Sequence, residues 1–295
     1  MDNDFRVAPV RFVLVGTQHP GNIGSAARAM KTMGLRRLVL VAPERFPHNE
    51  ADMMAAGADD VLAAAECFDT LAEALADCRL VLGCTARSRR VALDELRPYE
   101  GAARIIETTG AGGDVAVVFG RERTGLTNDE LQLCHAAIHI PADPEYTSLN
   151  LASAVQVLAY EWRMASLEGP RVRQGPDPSI ERLETADQPG ADQAMAEPPA
   201  SHAELEGFFA QLADTLDAID FHKGRAPQSA MRKLRRLFLR NQLDRREVRL
   251  LRGILADAQR MAQLAGRHAA PGPVGPGDGG GTAGNAGRRA GGDAK

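Results

Sequence analysis

The sequence predicts an α/β fold, a mostly parallel sheet flanked by helices, followed by a small α-helical domain. Three observations carry this. Short apolar, β-rich runs at 10–15, 38–42, 80–84, 115–119 and 137–141 alternate with helical patterns, the order that builds a parallel sheet with covered faces. From 169 to about 200 the composition shifts to Pro, Gly, Gln, Asp and Glu with few large apolar residues, as in a solvated linker. Beyond it, Leu205, Phe208, Phe209 and Leu212, then Leu234, Leu237 and Phe238, then Val248, Leu251 and Leu255 recur at helical spacing. The expected division is therefore 1–168, a linker over 169–200, a helical domain over 201–265 and a disordered Gly/Ala/Pro-rich tail over 266–295.

Taken in order, the run at 10–15 opens the sheet, and the segment 25–33 reads as a helix closed by Gly34. After the strand at 38–42, Asp69 or Thr70 caps a helix over 71–77. A helix ending at Gly110 separates the strands at 80–84 and 115–119. Asn128 starts another, whose early Asp129 and Glu130 suit its positive end. A final run at 137–141 leads into a long helix over 148–167, stopped by Gly169-Pro170. The helical domain takes its elements from 202–219 and 233–263.

Composition narrows the classes. Lys plus Arg number 35 against 39 Asp plus Glu, and the net charge of -4 marks neither a nucleic-acid binder nor an acidic tail. Between Lys223 and Arg252, however, eleven Lys and Arg stand against Asp244 and Glu247 alone. Such a stripe predicts a cationic face toward phosphates, with Lys233, Arg235, Arg236 and Arg240 as RNA-binding candidates; a merely solubilising face is the alternative. The four cysteines (Cys67, Cys78, Cys84, Cys134) fall at no metal spacing and sit in apolar segments, as reduced thiols of a cytoplasmic protein do. No metal site is expected. The N-terminus lacks a basic, apolar leader, and no apolar run approaches the about 20 residues needed to span a bilayer.

In a parallel sheet, ligands gather where strands end and helices begin. Three such loops carry unusual residues. In LVGTQHPGNIGSAARAMKTMG, Gly16, Gly21 and Gly24 permit tight turns and Asn22 or Ser25 can cap, but Walker and dinucleotide fingerprints both fail on the residues present. Arg28 is the only charge in the first helical turns, where a cation opposes the macrodipole; a nearby anion, or a salt bridge to Glu122 or Asp129, would compensate. In VFGRERTGLTNDEL, Arg121-Glu122-Arg123 follows a buried strand directly, which is either a ligand-facing loop or a solvated one. In IHIPADPEYTSLNLASAVQVLAYE, Pro141 and Pro144 stiffen the loop, Thr147 or Ser148 starts the helix, and Asn150 sits in its first turn. His19, His135, Tyr160 and Trp162 read as loop or packing residues, and Tyr146 as an aromatic beside the third loop.

Together these segments resemble the three motifs of the SpoU (TrmH-like) branch of the SPOUT methyltransferases: Asn22, Gly24-Ser25 and Arg28; Val118-Phe119-Gly120-Arg121-Glu122 with Gly125-Leu126; Ile140-Pro141 with Ser148-Leu149-Asn150. The stretches HPGNIGSAARAMKTMG, GRERTGLTNDELQ, PEYTSLNLASAVQVLAYE, MRKLRRLF and LRGIL are similar to bacterial members of that branch that methylate the ribose of cytidine or uridine 32 in the tRNA anticodon loop. The resemblance implies a C-terminal trefoil knot in the sheet domain, S-adenosylmethionine as cofactor, tRNA as substrate and a homodimer. Periodicity alone points to no knot. Carried over by position, Cys84, Thr85, Ala86, Gly120, Ile140, Thr147, Ser148 and Leu149 would bind the cofactor, largely through main-chain groups.

The resemblance also assigns catalysis to Arg28. A guanidinium is hard to deprotonate in proteins, so phosphate binding or stabilisation of a developing alkoxide is the expected role. Ser148 and Asn150 would position the ribose or shape the knot, and Glu122 would hold the loops together. Arg121 and Arg123 would meet RNA phosphate or neutralise Glu122. Alternatives are a 2′-O-methyltransferase of another tRNA or rRNA nucleotide, and a non-catalytic RNA-binding knot protein.

Overall fold

The computed structural model describes residues 9–86, 93–143, 145–168, 197–224 and 226–269. Most of the expected linker (169–196) and of the tail (270–295) lies outside these residues, as do Pro144 and Arg225. The chain runs β1 (Val10–Val15), α1 (Pro20–Thr32), β2 (Arg37–Val41), α2 (Asn49–Ala55), α3 (Asp59–Ala63), β3 (Glu66–Phe68), α4 (Leu71–Leu75), β4 (Leu80–Cys84), β5 (Asp94–Leu96), α5 (Pro98–Gly110), β6 (Val115–Phe119), α6 (Asn128–Gln132), β7 (Ala136–Ile138) and α7 (Leu151–Glu168). Three helices follow: α8 (His202–Ala218), α9 (Pro227–Arg240) and α10 (Arg245–Ala269).

All seven strands pair in parallel, in the order β3-β2-β1-β6-β4-β7-β5. The two-residue period of a strand sorts its side chains between two cores. Phe12, Leu14, Leu38, Leu40, Leu82 and Val117 pack under α1, α2, α5 and α7, while Val13, Val15, Val39, Val41, Val81 and Val118 pack under α4. Every residue of β1 and β6 is buried, which explains why these strands read as continuous apolar runs. Arg11 interrupts that run in β1. Its guanidinium bonds Ala74 O at 2.9 Å and Asp77 Oδ2 at 2.6 Å; burial alone would disfavour the charge, and Asp77, Cys78 and Asp114 together outweigh it.

The edge strands β3 and β5 and the helices α2 and α3 have no counterpart in the expected elements. Three-residue edges such as Asp94-Glu95-Leu96 carry no apolar alternation, and only pairing defines them. α1 begins at Pro20, five residues before the expected start, because proline is accommodated at a first helical position. Gly24 is therefore not a turn residue. A Cβ there would lie 2.0 Å from Ala51 O, so glycine is what lets α1 and α2 touch. Cys78 and Cys134 are buried as expected, but Cys67 is exposed on β3.

The helical segment has its own core of Leu205, Phe208, Phe209, Leu212, Leu239 and Val248. Ser201 and Glu204 form a capping box at the start of α8. The last expected linker residues already belong here: Ala200 N donates to Leu243 O at 2.8 Å, and Glu197 pairs with Arg246 and Arg249. α10 continues to Ala269, past the expected tail boundary.

Candidate active site

The carboxyl ends of β4 and β6, the loop after β7 and the start of α7 enclose a cavity of about 490 Å³. Cys84, Thr85, Ala86, Gly120, Ile140, Thr147, Ser148 and Leu149 all line it, together with Arg121, Glu122 and Arg123. Three segments far apart in sequence thus converge where an α/β sheet presents its ligand-binding end. Burial pushes the Cys84 thiol up to about 12, so it remains a neutral wall at ordinary pH and no nucleophile.

Glu122 ties the loops to one another. Its Oε2 accepts the N–H of Gln18 at 3.1 Å, and its Oε1 accepts the N–H of His19 at 3.2 Å and Asn22 Nδ2 at 2.9 Å. Asn22 Oδ1 in turn accepts Asn150 Nδ2 at 3.1 Å. A single chain of hydrogen bonds therefore runs from the loop after β6, through the start of α1, to the start of α7. Partial burial by itself would raise the Glu122 carboxyl. The donors from Asn22, Gln18 and His19 outweigh it and hold the carboxyl below the usual range. No side chain caps α1 locally; the carboxylate of Glu122, fixed just ahead of the helix, occupies the place where the macrodipole favours a negative charge.

Glycine shapes the second loop. A Cβ on Gly120 would lie 2.1 Å from the carbonyl carbon of Gly125, and Gly125 itself has a φ of +68°. Gly120 is thus required first by the loop's own closure, in which the N–H of Gly125 donates to Arg121 O at 2.8 Å. In the third loop the helix starts at Leu151, later than expected. Asn150 is its cap and not a first-turn residue: its Oδ1 accepts the N–H of Ala152 at 2.9 Å. Among the described residues, the main-chain N–H groups of Thr147, Ser148 and Leu149 have no acceptor. Unspent main-chain donors on a cavity wall suit a ligand with several acceptor atoms, and the volume suits a nucleoside-sized cofactor.

The cations are placed differently from expectation. Arg28 is the ninth residue of α1, so the macrodipole argument no longer applies to it. Its side chain is exposed, does not line the cavity and makes no ion pair among the described residues, with Glu122 or Asp129 or otherwise. Arg121 does not neutralise Glu122; its Nη1 meets both carboxylate oxygens of Glu130 at 3.0 and 3.1 Å. Arg123 is exposed at the cavity rim. The pairing of Arg121 with Glu130 escaped the sequence reading, although Thr127-Asn-Asp-Glu130 spells a capping box that fixes Glu130 in place.

On α9 the four basic candidates divide. Lys233 and Arg240 are exposed, as a phosphate-facing surface requires. Arg235 faces inward: it donates to Gln132 O at 2.9 Å, pairs with Glu206 and lies 4.5 Å from the centre of the Phe209 ring. Burial lowers it to about 10. Arg236 points toward Asp94, at 3.9 Å. The apolar face is also rotated, since Leu237 is 50% exposed while Met231, Leu234, Phe238 and Leu239 reach the core. Arg235 stands four residues after Met231 and three before Phe238, a spacing that marks its inward face.

Comparison with known proteins matches residues 9–160 to the SpoU rRNA Methylase family and residues 203–267 to the TrmJ tRNA methyltransferase C-terminal domain. A tRNA (cytidine/uridine/adenosine-2′-O-)-methyltransferase TrmJ of Pseudomonas aeruginosa (strain UCBPP-PA14) is 49% identical over 254 residues, 86% of this chain and 95% of the relative. A tRNA (cytidine/uridine-2′-O-)-methyltransferase TrmJ of Klebsiella pneumoniae is 48% identical over 85% of this chain and 96% of its own. The crystal structure of TrmJ from Z. mobilis ZM4 superposes with a TM-score of 0.68 at 36% identity, covering 84% of this chain and 97% of that one.

Proposed function

The chain belongs to the SpoU rRNA Methylase family, among the TrmJ tRNA 2′-O-methyltransferases, and we propose that it methylates the ribose of cytidine or uridine 32 in the tRNA anticodon loop. The observation that carries this reading is the convergence of all eight matched cofactor positions on one cavity, with the three motifs joined through Glu122, Asn22 and Asn150. S-adenosylmethionine, the proposed cofactor, supplies a methyl carbon made electrophilic by a sulfonium. The N–H groups of Thr147, Ser148 and Leu149 and the main chain at Gly120 and Ile140 would hold it. The trefoil knot, a homodimer and a cytoplasmic setting belong to the same proposal.

Within it, the protein's part is alignment and charge. A ribose hydroxyl is a weak acid, so a positioned guanidinium that stabilises the emerging alkoxide or grips the adjacent phosphate lowers the barrier. Arg28 is assigned that role. Its exposed side chain, unpaired among the described residues, is free to meet RNA, and its place off the cavity wall requires the bound tRNA or a second subunit to bring it to the reacting oxygen. Lys233 and Arg240 supply sequence-independent grip on the tRNA backbone.

The Pseudomonas relative is a cytidine/uridine/adenosine-2′-O-methyltransferase, which favours a broader choice of base here as well. A target chosen by ribose and loop shape tolerates this, since the reacting atom is on the sugar. Calorimetric titration with S-adenosylmethionine tests the cofactor assignment: saturable binding at one site per chain is expected, and no heat at millimolar cofactor would overturn it. Tritiated-methyl transfer to tRNA transcripts with C, U or A at position 32 then reads the breadth.

A further inference from the structure

We infer that Arg235 is a latch that docks the basic helical unit onto the cavity loop, and therefore a positioning residue for methylation and not a ligand of tRNA phosphate. Its guanidinium reaches Gln132 O on α6, Glu206 on α8 and the face of Phe209 at once. α6 is only five residues long, and each end of it is held. Two residues before Gln132, Glu130 accepts Arg121 from the cavity wall and the N–H of Thr127 at 2.7 Å. A displacement of α9 is thus transmitted by one short rigid helix to a residue lining the cavity.

Other contacts join the helical unit to the sheet at the same junction. The N–H of His202 donates to Cys78 O at 2.8 Å and that of Ala203 to Ala76 O at 3.0 Å, joining the first turn of α8 to the loop after α4. His202 is 1% exposed, with its Nε2 3.6 Å from Glu206. Arg236 extends toward Asp94 on the opposite edge of the sheet. A point charge such as lysine satisfies Glu206 but cannot also bond Gln132 O and stack on Phe209, since only the planar fork does all three. The geometry has a mechanistic use: the unit that grips tRNA is registered against the loop that carries Gly120, Arg121 and Glu122.

The inference rests on the tRNA methyltransferase reading for its functional half and on geometry alone for its docking half. Arg235→Gln, Arg235→Lys and Glu206→Gln are made in the full chain. Hydrogen exchange should quicken at 132–135 and 202–206 in Arg235→Gln and Glu206→Gln, while cofactor affinity and the slope of tRNA binding against salt stay at wild-type values. kcat on whole tRNA should fall about tenfold, the loss expected for one charge-assisted contact, with KM little changed and Arg235→Lys intermediate. A salt slope lowered by about one with unchanged exchange would make Arg235 a phosphate ligand and overturn the latch. Faster exchange with undiminished kcat would overturn its positioning role. If the wild-type chain methylates no tRNA, the functional reading falls while the exchange experiment still judges the docking.

Discussion

Among single residues, Glu122 is the one that joins the cavity loop to the start of α1. Three N–H donors converge on its carboxylate and connect the loop after β6 to the start of α1. Glutamine keeps the shape but replaces one acceptor oxygen with a donor, which faces the N–H groups it should accept. Glu122→Gln is expected to lower stability by about 1 kcal/mol, a modest figure because the site is partly solvated, and to weaken cofactor binding about tenfold. Thermal melts and calorimetry check the pair of effects; wild-type cofactor affinity in this variant would remove Glu122 from the loop assembly. The anchoring role of this residue was legible only through the family resemblance. Its partners were not: Gln18 and His19 contribute main-chain groups, which carry no side-chain signature. The pairing of Arg121 with Glu130 shows the converse, a contact between two loop-flanking side chains that local spacing did contain.

At the scale of elements, α9 shows how a charge count overreaches. Eleven cations fall in thirty residues, but helical phase decides which of them meet solvent. Lys233 and Arg240 lie seven residues apart on one exposed face, whereas Arg235 shares the face of Met231 and Phe238. Charge reversal of Lys233 and Arg240 together should weaken tRNA binding and reduce its salt slope by roughly two, one for each lost phosphate contact. Filter binding over a salt series measures this, and an unchanged slope would assign the face to solubility. The strands divide in the same instructive way. β1, β4 and β6 are buried on both faces and announce themselves as apolar runs, while β3 and β5 exist through pairing at the sheet's edges. α1 was placed late because Pro20 and the glycines read as a turn, and this misplacement created the apparent conflict between Arg28 and the helix dipole.

For the whole molecule, the junction between sheet and helical unit stores a pH dependence. Burial lowers His135 to about 3, with His202 and Arg235 nearby adding to the effect, and lowers His202 to about 4, from an ordinary value of 6.5. Both are neutral in the folded protein at pH 7. Below about pH 6.5 the unfolded chain takes up protons that the folded chain refuses, so stability is full above that pH and is lost as pH falls through about 4 and then 3. Urea midpoints should already decline between pH 6.5 and 5, above the range where carboxylates contribute, and His202→Asn should flatten that part of the profile. Composition hinted at none of this, because burial of a histidine is a tertiary property. The parallel α/β class and the three ligand loops were legible because strand burial and loop chemistry are local; the knot and any second subunit enter only by family resemblance. The central claim is that these loops form one site delivering a methyl group to a sugar oxygen, to which bound tRNA or a second subunit brings Arg28. Mass-spectrometric mapping of tRNA incubated with labelled S-adenosylmethionine tests it most directly. The account predicts a single ribose methyl at nucleotide 32, diminished at least a hundredfold by Arg28→Ala in a folded, cofactor-binding enzyme. A methyl on a base, or an undiminished yield from Arg28→Ala, would contradict it.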